Sequence, residues 1–176
     1  MLNIRRAEPN DIRQVSYIHV DTWRAAYRGI IDRNVLNNLS YGRSNDNLRR
    51  CFDKLSNFFY VAEIDGIITG FATGGIQRDE DLLHDGEIYA MYILPRYQNR
   101  GIGSKLFLKM AEDFHHEKWH DFLVWCLEKN PAKDFYQRFG AKTQHKKRIR
   151  IGGRNLIEIG YVFETKKVVS EFIENK

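Results

Sequence analysis

The run Glu87-Ile-Tyr-Ala-Met-Tyr-Ile-Leu94, closed by Pro95 and followed by a glycine-bearing turn and a sharply periodic helix, constrains this chain most. A near-continuous apolar run suits a strand covered on both faces, and proline ends it because it has no N–H to give a ladder. The helix is read from Gly103, Leu106, Phe107, Met110, Ala111 and Phe114, which recur at helical spacing. Between strand and helix lies Gln98-Asn-Arg-Gly-Ile-Gly103. Unpaired N–H groups and the helix dipole converge on an anion at such a turn, and a phosphate fits there. Gly101 and Gly103 keep the backbone approachable, while Arg100, Ser104 and Lys105 could add charge or hydrogen bonds. The same pattern also suits a plain tight turn before a helix. Neither GxxxxGK[ST] nor GxGxxG occurs, so the two best-known phosphate loops are disfavoured.

The remaining elements follow from periodicity and turn chemistry. Residues 2–6 read as a first strand. A first helix from Pro9 to about Tyr27 uses Ile12, Val15, Ile18, Thr22, Trp23 and Ala26, and a less regular helical region spans 32–54. Asp65-Gly66 joins strands at 58–64 and 67–74 as a hairpin. After the acidic loop 78–85, the buried strand and its helix come a strand at 122–127, a short helix at 131–138 closed by Gly140, and a hairpin of 146–151 and 155–163 turning at Gly152-Gly153. The tail from 166 reads as a frayed helix. The helix between the fourth and fifth strands is a crossover, so those strands should be parallel within an otherwise antiparallel sheet.

At 176 residues, with no repeat or linker-like tract, the expectation is one α+β domain over the whole chain, its core at about 2–163 and a tail at 164–176. No apolar stretch approaches the ~20 residues that cross a bilayer, and Met1-Leu-Asn-Ile-Arg-Arg lacks the order of a secretory signal, so no membrane partner and a cytoplasmic location are expected. Cys51 and Cys126 lack CxxC spacing and read as two buried thiols. The net charge of +5 is modest and would serve a small polyanionic cofactor as well as a nucleic acid.

A second constellation, Asn130-Pro-Ala-Lys-Asp-Phe-Tyr-Gln-Arg-Phe-Gly140, follows the fifth strand. A helix opening at the carboxyl edge of a strand parallel to the fourth would bring Asn130 and Tyr136 beside whatever the glycine turn holds. An aliphatic-x-Pro strand end, then Gln-x-x-Gly-x-Gly opening a helix, then Asn-Pro-Ala-x-x-Phe-Tyr-x-x-Phe-Gly, resembles the GNAT superfamily of acyl-CoA-dependent N-acyltransferases. The likeness in element order runs over about residues 2–163, and Trp23-Arg-Ala-Ala-Tyr-Arg-Gly29 resembles the first-helix end of many bacterial members.

The resemblance implies a mostly antiparallel seven-stranded sheet with parallel, splayed fourth and fifth strands, flanked by about four helices. It implies direct transfer of the acetyl group of acetyl-CoA to a primary amine in a ternary complex, without a metal. Backbone groups of Gln98, Asn99, Arg100, Gly101, Ile102, Gly103 and Ser104 would hold the pyrophosphate. Tyr92 and Ile93 would pair with the pantetheine arm through their backbone, and Asn130 would bond that arm from the other side. Tyr136 would protonate the leaving thiolate; without the motif it would read as a core aromatic. Glu87 is the expected base, acting through a water with a raised pKa, against the reading of a carboxylate paired with Lys or Arg at a strand end.

The acceptor is expected opposite the cofactor, lined by Trp23, Tyr27 and Glu87, with loop 78–85 and the Gly152-Gly153 turn as lids. Asp79-Glu-Asp81 could attract a cationic amine, although acidic runs are usually solvated; acceptor identity and oligomeric state, a homodimer included, stay open. His116-Glu-Lys-Trp-His120 matches HExxH, yet its histidines turn away from the core stripe and His120 abuts the next strand, so a solvated helix end is expected. Two other readings are a non-catalytic acyl-CoA-binding sensor and a nucleic-acid binder using 142–154, the latter disfavoured because that stretch has no interleaved aromatics.

Overall fold

The computed structural model describes residues 1–54 and 57–174. Seven strands, β1 (Leu2–Arg6), β2 (Phe58–Ile64), β3 (Ile67–Ile76), β4 (Gly86–Ile93), β5 (Asp121–Leu127), β6 (Lys142–Ile151) and β7 (Arg154–Glu164), form one sheet in the order β1-β2-β3-β4-β5-β7-β6. Among these pairs β4 and β5 alone are parallel, as the crossover requires. Six helices accompany them: α1 (Ile12–Ala26), α2 (Arg33–Asn37), α3 (Tyr41–Phe52), α4 (Ile102–His116), α5 (Lys133–Arg138) and α6 (Thr165–Val169).

Period-two alternation divides the sheet into two buried faces. Phe59 and Val61 of β2, with Ile68 and Phe71 of β3, pack under Ile12, Val15 and Ile18 of α1 and Leu48 of α3. Their neighbours Tyr60, Ala62 and Ala72 face the other way, onto Leu106, Phe107, Met110 and Phe114 of α4. Thus the stripe that marked α4 in the sequence is the stripe it buries. A third cluster of Tyr27, Ile31, Leu36 and Leu127 ties the end of α1 and α2 to the tip of β5.

Two expectations are refined, and the order of the last two strands is set. The irregular helical region resolves into α2 and α3, each started by a side-chain cap: Asp32 accepts from the Asn34 N–H and Ser40 from the Arg43 N–H. The final hairpin places β7, not β6, against β5. β7 carries the buried run Ile159–Phe163, whereas β6 is lysine- and arginine-rich and takes the sheet edge, where charge discourages pairing with another chain. The tail is packed rather than frayed, with Val168 and Val169 buried, and residues 175–176 lie outside the described residues. Both cysteines are free.

Candidate active site

Ladder pairing between β4 and β5 stops at Ile88↔Val124. Beyond it β4 stays paired with β3 to Ile93, and β5 with β7 to Leu127. The two parallel strands therefore diverge while each remains held on its outer side, and their facing edges open a cleft with unused backbone donors and acceptors. This cleft has a volume of about 870 Å³.

The glycine turn closes one end of the cleft. Asn99 and Gly101 both adopt the left-handed conformation, at φ 59° and 77°, and swing the chain from Pro95–Tyr97 into α4. No atom stands within 4 Å of the Cβ position at Gly101, so the glycine is required there by φ alone. The first intrahelical bond at this end is from the Lys105 N–H to the Gly101 carbonyl. The N–H groups of Ile102, Gly103 and Ser104 thus meet the cleft without a helical acceptor.

Most of the residues expected at a donor site are brought together here. Tyr92, Ile93, Gln98, Asn99, Gly101, Ile102, Gly103, Ser104, Asn130 and Tyr136 all line the cleft. Arg100 does not; it is exposed, with its guanidinium 5.6 Å from the Tyr97 ring centre. The Gln98 side chain donates to the Ile93 carbonyl at 2.9 Å, pinning the turn to the end of β4. Asn130 holds the turn that leads into α5, its Oδ1 accepting from the Ala132 N–H at 2.9 Å.

Tyr136 stacks on Tyr161 with ring centres 5.6 Å apart, and its hydroxyl has no hydrogen-bond partner among the described residues. Burial raises its pKa above that of an ordinary phenol, so the proton stays on through the neutral range. Cys126, also in the cleft, is pushed up to about 12 by burial and is an inert thiol. One wall residue escaped sequence reading. Thr22 lines the cleft with its Oγ1 buried and unpartnered, although its position in the sequence placed it on the apolar face of α1.

A second cavity, of about 550 Å³, opens on the other side of the β4–β5 divergence. Trp23, Tyr27 and Glu87 line it as expected, joined by Arg78, Asp79 and Glu80 of the β3–β4 loop and by Trp125, Lys147 and Glu158. Tyr27 and Tyr92 border both cavities. Trp23 Nε1 donates to Tyr92 Oη at 2.9 Å, and Tyr27 stacks edge-on against Trp23 with ring centres 4.8 Å apart. Burial raises the pKa of each phenol.

Glu87 meets an ion pair where a free base was expected. Arg78 gives it three hydrogen bonds, from Nη2 at 2.5 Å and from Nε and the backbone N–H at 3.1 Å. Three of the carboxylate's roughly four acceptor positions are thereby taken. The paired carboxylate was the alternative the sequence offered, but its partner could not be read, because Arg78 reaches back from a loop whose path the sequence leaves open. The Gly152-Gly153 turn also differs from a lid: a Cβ at Gly152 would stand 2.1 Å from Val35 Cγ2, so the turn is wedged against α2. The HExxH string straddles the end of α4, with His116 the last helical residue, and among the described residues no group of three or more His, Cys, Asp or Glu side chains is placed to hold a metal.

Residues 56–140 match the family model described as an acetyltransferase (GNAT) domain. The chain is 34% identical over 160 residues to the uncharacterized N-acetyltransferase YuaI of Bacillus subtilis (strain 168), covering 91% of each chain. This chain belongs to the GNAT acetyltransferase family. As a GNAT protein it is an acyltransferase, and a further relative, the probable N-acetyltransferase Rv2775 of Mycobacterium tuberculosis, is 27% identical over 78% of each chain. Among solved structures, the PaiA N-acetyltransferase of Thermoplasma acidophilum in complex with coenzyme A shares the fold, with a TM-score of 0.75 at 18% identity over 93% of this chain and 99% of that one. The acetyltransferase yncA of Salmonella typhimurium, solved with acetyl-CoA, gives a TM-score of 0.73 at 18% identity over 93% and 94%.

Proposed function

We propose that the β4–β5 cleft seats acetyl-CoA and that the cavity beyond Tyr27 and Tyr92 admits a primary amine, so that the acetyl group passes directly between them. The observation that carries this reading is the early end of the β4–β5 ladder at Ile88↔Val124, with the bare amides of α4 at the head of the opening. An extended pantetheine arm can pair with the exposed edge of β4 at Tyr92 and Ile93 as an added strand would. The N–H groups of residues 99–104 suit a diphosphate, and the unpartnered Thr22 hydroxyl belongs to the wall of the same cleft. The known structures with coenzyme A or acetyl-CoA support the assignment by fold.

During transfer, a backbone N–H of β4 near the divergence would meet the oxyanion, a contact typically worth about 3 kcal/mol. Tyr136, protonated and without another partner, would donate to the departing sulfur, a contribution of roughly 10²–10⁴ in rate. A non-catalytic sensor would keep the donor cleft but would not need the second cavity or a free phenol beside it. Release of thiol from acetyl-CoA in the presence of a panel of primary amines tests the reading: turnover that is lost in Tyr136→Phe supports it, and coenzyme binding without turnover of any amine favours the sensor. For the amine itself, Asp79 and Glu80 at the cavity wall favour a cationic acceptor. The basic strand β6 is poorly disposed to bind nucleic acid, because Lys142 and Lys146 are already hydrogen-bonded to Glu164 and Glu128 and Lys147 lies over the Trp125 ring.

A further inference from the structure

We propose that Glu158, not Glu87, is the carboxylate that receives the acceptor's ammonium group and takes its proton. The assignment rests on the acceptor cavity proposed above. Of the carboxylates lining that cavity, Glu87 is consumed by Arg78, whereas Asp79 and Glu80 sit on the loop between β3 and β4 rather than on the sheet. Glu158 is on β7, opposite Leu127 of β5 and Lys147 of β6, and is therefore fixed by ladders on both sides. Its side chain is 22% exposed and lines the cavity, and its carboxylate accepts no hydrogen bond among the described residues.

The groups facing Glu158 come from every neighbouring element. Lys147 of β6 stands 3.8 Å away, beyond hydrogen-bond distance, and its ammonium lies 3.8 Å from the Trp125 ring centre. Tyr27 at the end of α1 and Cys126 of β5 lie within electrostatic reach, as do Glu87 of β4 and Arg78 of the loop. Burial, with the like charge of Glu87, outweighs Lys147 and Arg78 and raises the carboxyl above the ordinary range, which makes it a better proton acceptor. An incoming ammonium supplies the close hydrogen-bonding partner that Lys147 does not.

The proton balance is complete. The ammonium R–NH₃⁺ gives one proton to Glu158, and the freed lone pair forms the C–N bond as the carbonyl π pair moves to oxygen. Collapse of the adduct breaks the C–S bond, and the sulfur leaves with a proton from Tyr136. The second proton lost by nitrogen restores the phenol through solvent, and Glu158 releases its own to bulk water, so one proton is produced per acetyl group transferred.

The test compares the wild type with Glu158→Gln, Glu158→Asp and Glu87→Gln between about pH 6 and 10, spanning the range over which amines titrate. The acceptors are strongly basic n-propylamine and weakly basic glycinamide, thiol release is the readout, and calorimetry with coenzyme A follows donor binding in parallel. Glu158→Gln should lower kcat on n-propylamine by about 10²-fold at neutral pH. The loss should be smaller on glycinamide and should shrink as pH approaches each amine's own pKa. Coenzyme affinity should hold and Tm should not fall, because the amide removes a poorly solvated charge. Glu158→Asp should recover part of the rate, and Glu87→Gln should raise KM for the amine more than it lowers kcat. A Glu158→Gln enzyme with the wild-type rate and pH profile overturns the proposal, as does a wild type that binds coenzyme A yet acetylates neither amine. If coenzyme A gives no heat, the donor reading beneath the proposal falls and takes the proposal with it.

Discussion

At the scale of single residues, the site separates groups that hold the fold from groups left free for chemistry. Tyr136 is buried and stacked but spends no hydrogen bond on the protein. Tyr136→Phe should therefore leave Tm within a degree or two of wild type, while kcat falls by about 10²-fold or more; thermal melts and thiol-release assays read the two effects separately. Glu87 is the opposite case, since its carboxylate accepts three hydrogen bonds from Arg78. Glu87→Gln should weaken the tie that holds the β3–β4 loop, raising KM for the amine more than it lowers kcat. An Arg78→Gln enzyme should behave the same way, and a kcat-only loss in either variant would contradict the role.

At the scale of elements, the turn between β4 and α4 was the most legible part of the molecule and is also the most exposed to single changes. Gly101 sits at φ 77° with nothing near its Cβ position, so Gly101→Ala meets strain without a clash. The cost of a left-handed non-glycine residue is about 1–2 kcal/mol, which lowers Tm by roughly 2–4 °C per kcal/mol for a chain of this size. Calorimetric scanning checks this, and an unchanged Tm would mean that the turn relaxes. The turn, α4 and the β2–β3 hairpin could be read because their signals are local: a proline, an Asp-Gly pair, a stripe at helical spacing. The order of β6 and β7 could not be read in the same way, since either strand of a hairpin can face β5. The charge of β6 and the apolar run of β7 carried the answer, but only once an edge was known to exist. Arg78 on Glu87 and the availability of Glu158 are likewise products of long-range packing. They depend on where a loop and a terminal strand arrive, for which spacing in the sequence holds no information.

At the scale of the whole molecule, two histidines with lowered pKa should make stability fall in acid. His19, packed among Trp23, Phe71 and Tyr92, is depressed by burial to about 4, and His145, whose Nε2 lies 2.7 Å from that of His84, is also lowered by burial and by its neighbour. A depressed histidine contributes stability that is fully present above its unfolded value of 6.5 and is lost as pH falls toward the folded value. For His19 the span from 6.5 to about 4 corresponds to about 3 kcal/mol. Tm should thus decline through this window, and His19→Asn should flatten the decline; a Tm independent of pH between about 7 and 4 would show that the ring is solvated.

The central claim is that the diverging β4 and β5, with the amides after Pro95, form the seat of the acyl donor. Amide-resolved NMR titration with acetyl-CoA tests it directly. The account expects saturable shifts concentrated at residues 89–93 of β4, at 98–104, and along the β5–α5 side from Cys126 to Tyr136. Unmoved amides at 98–104 with the donor bound, or shifts confined to another face of the sheet, would contradict it.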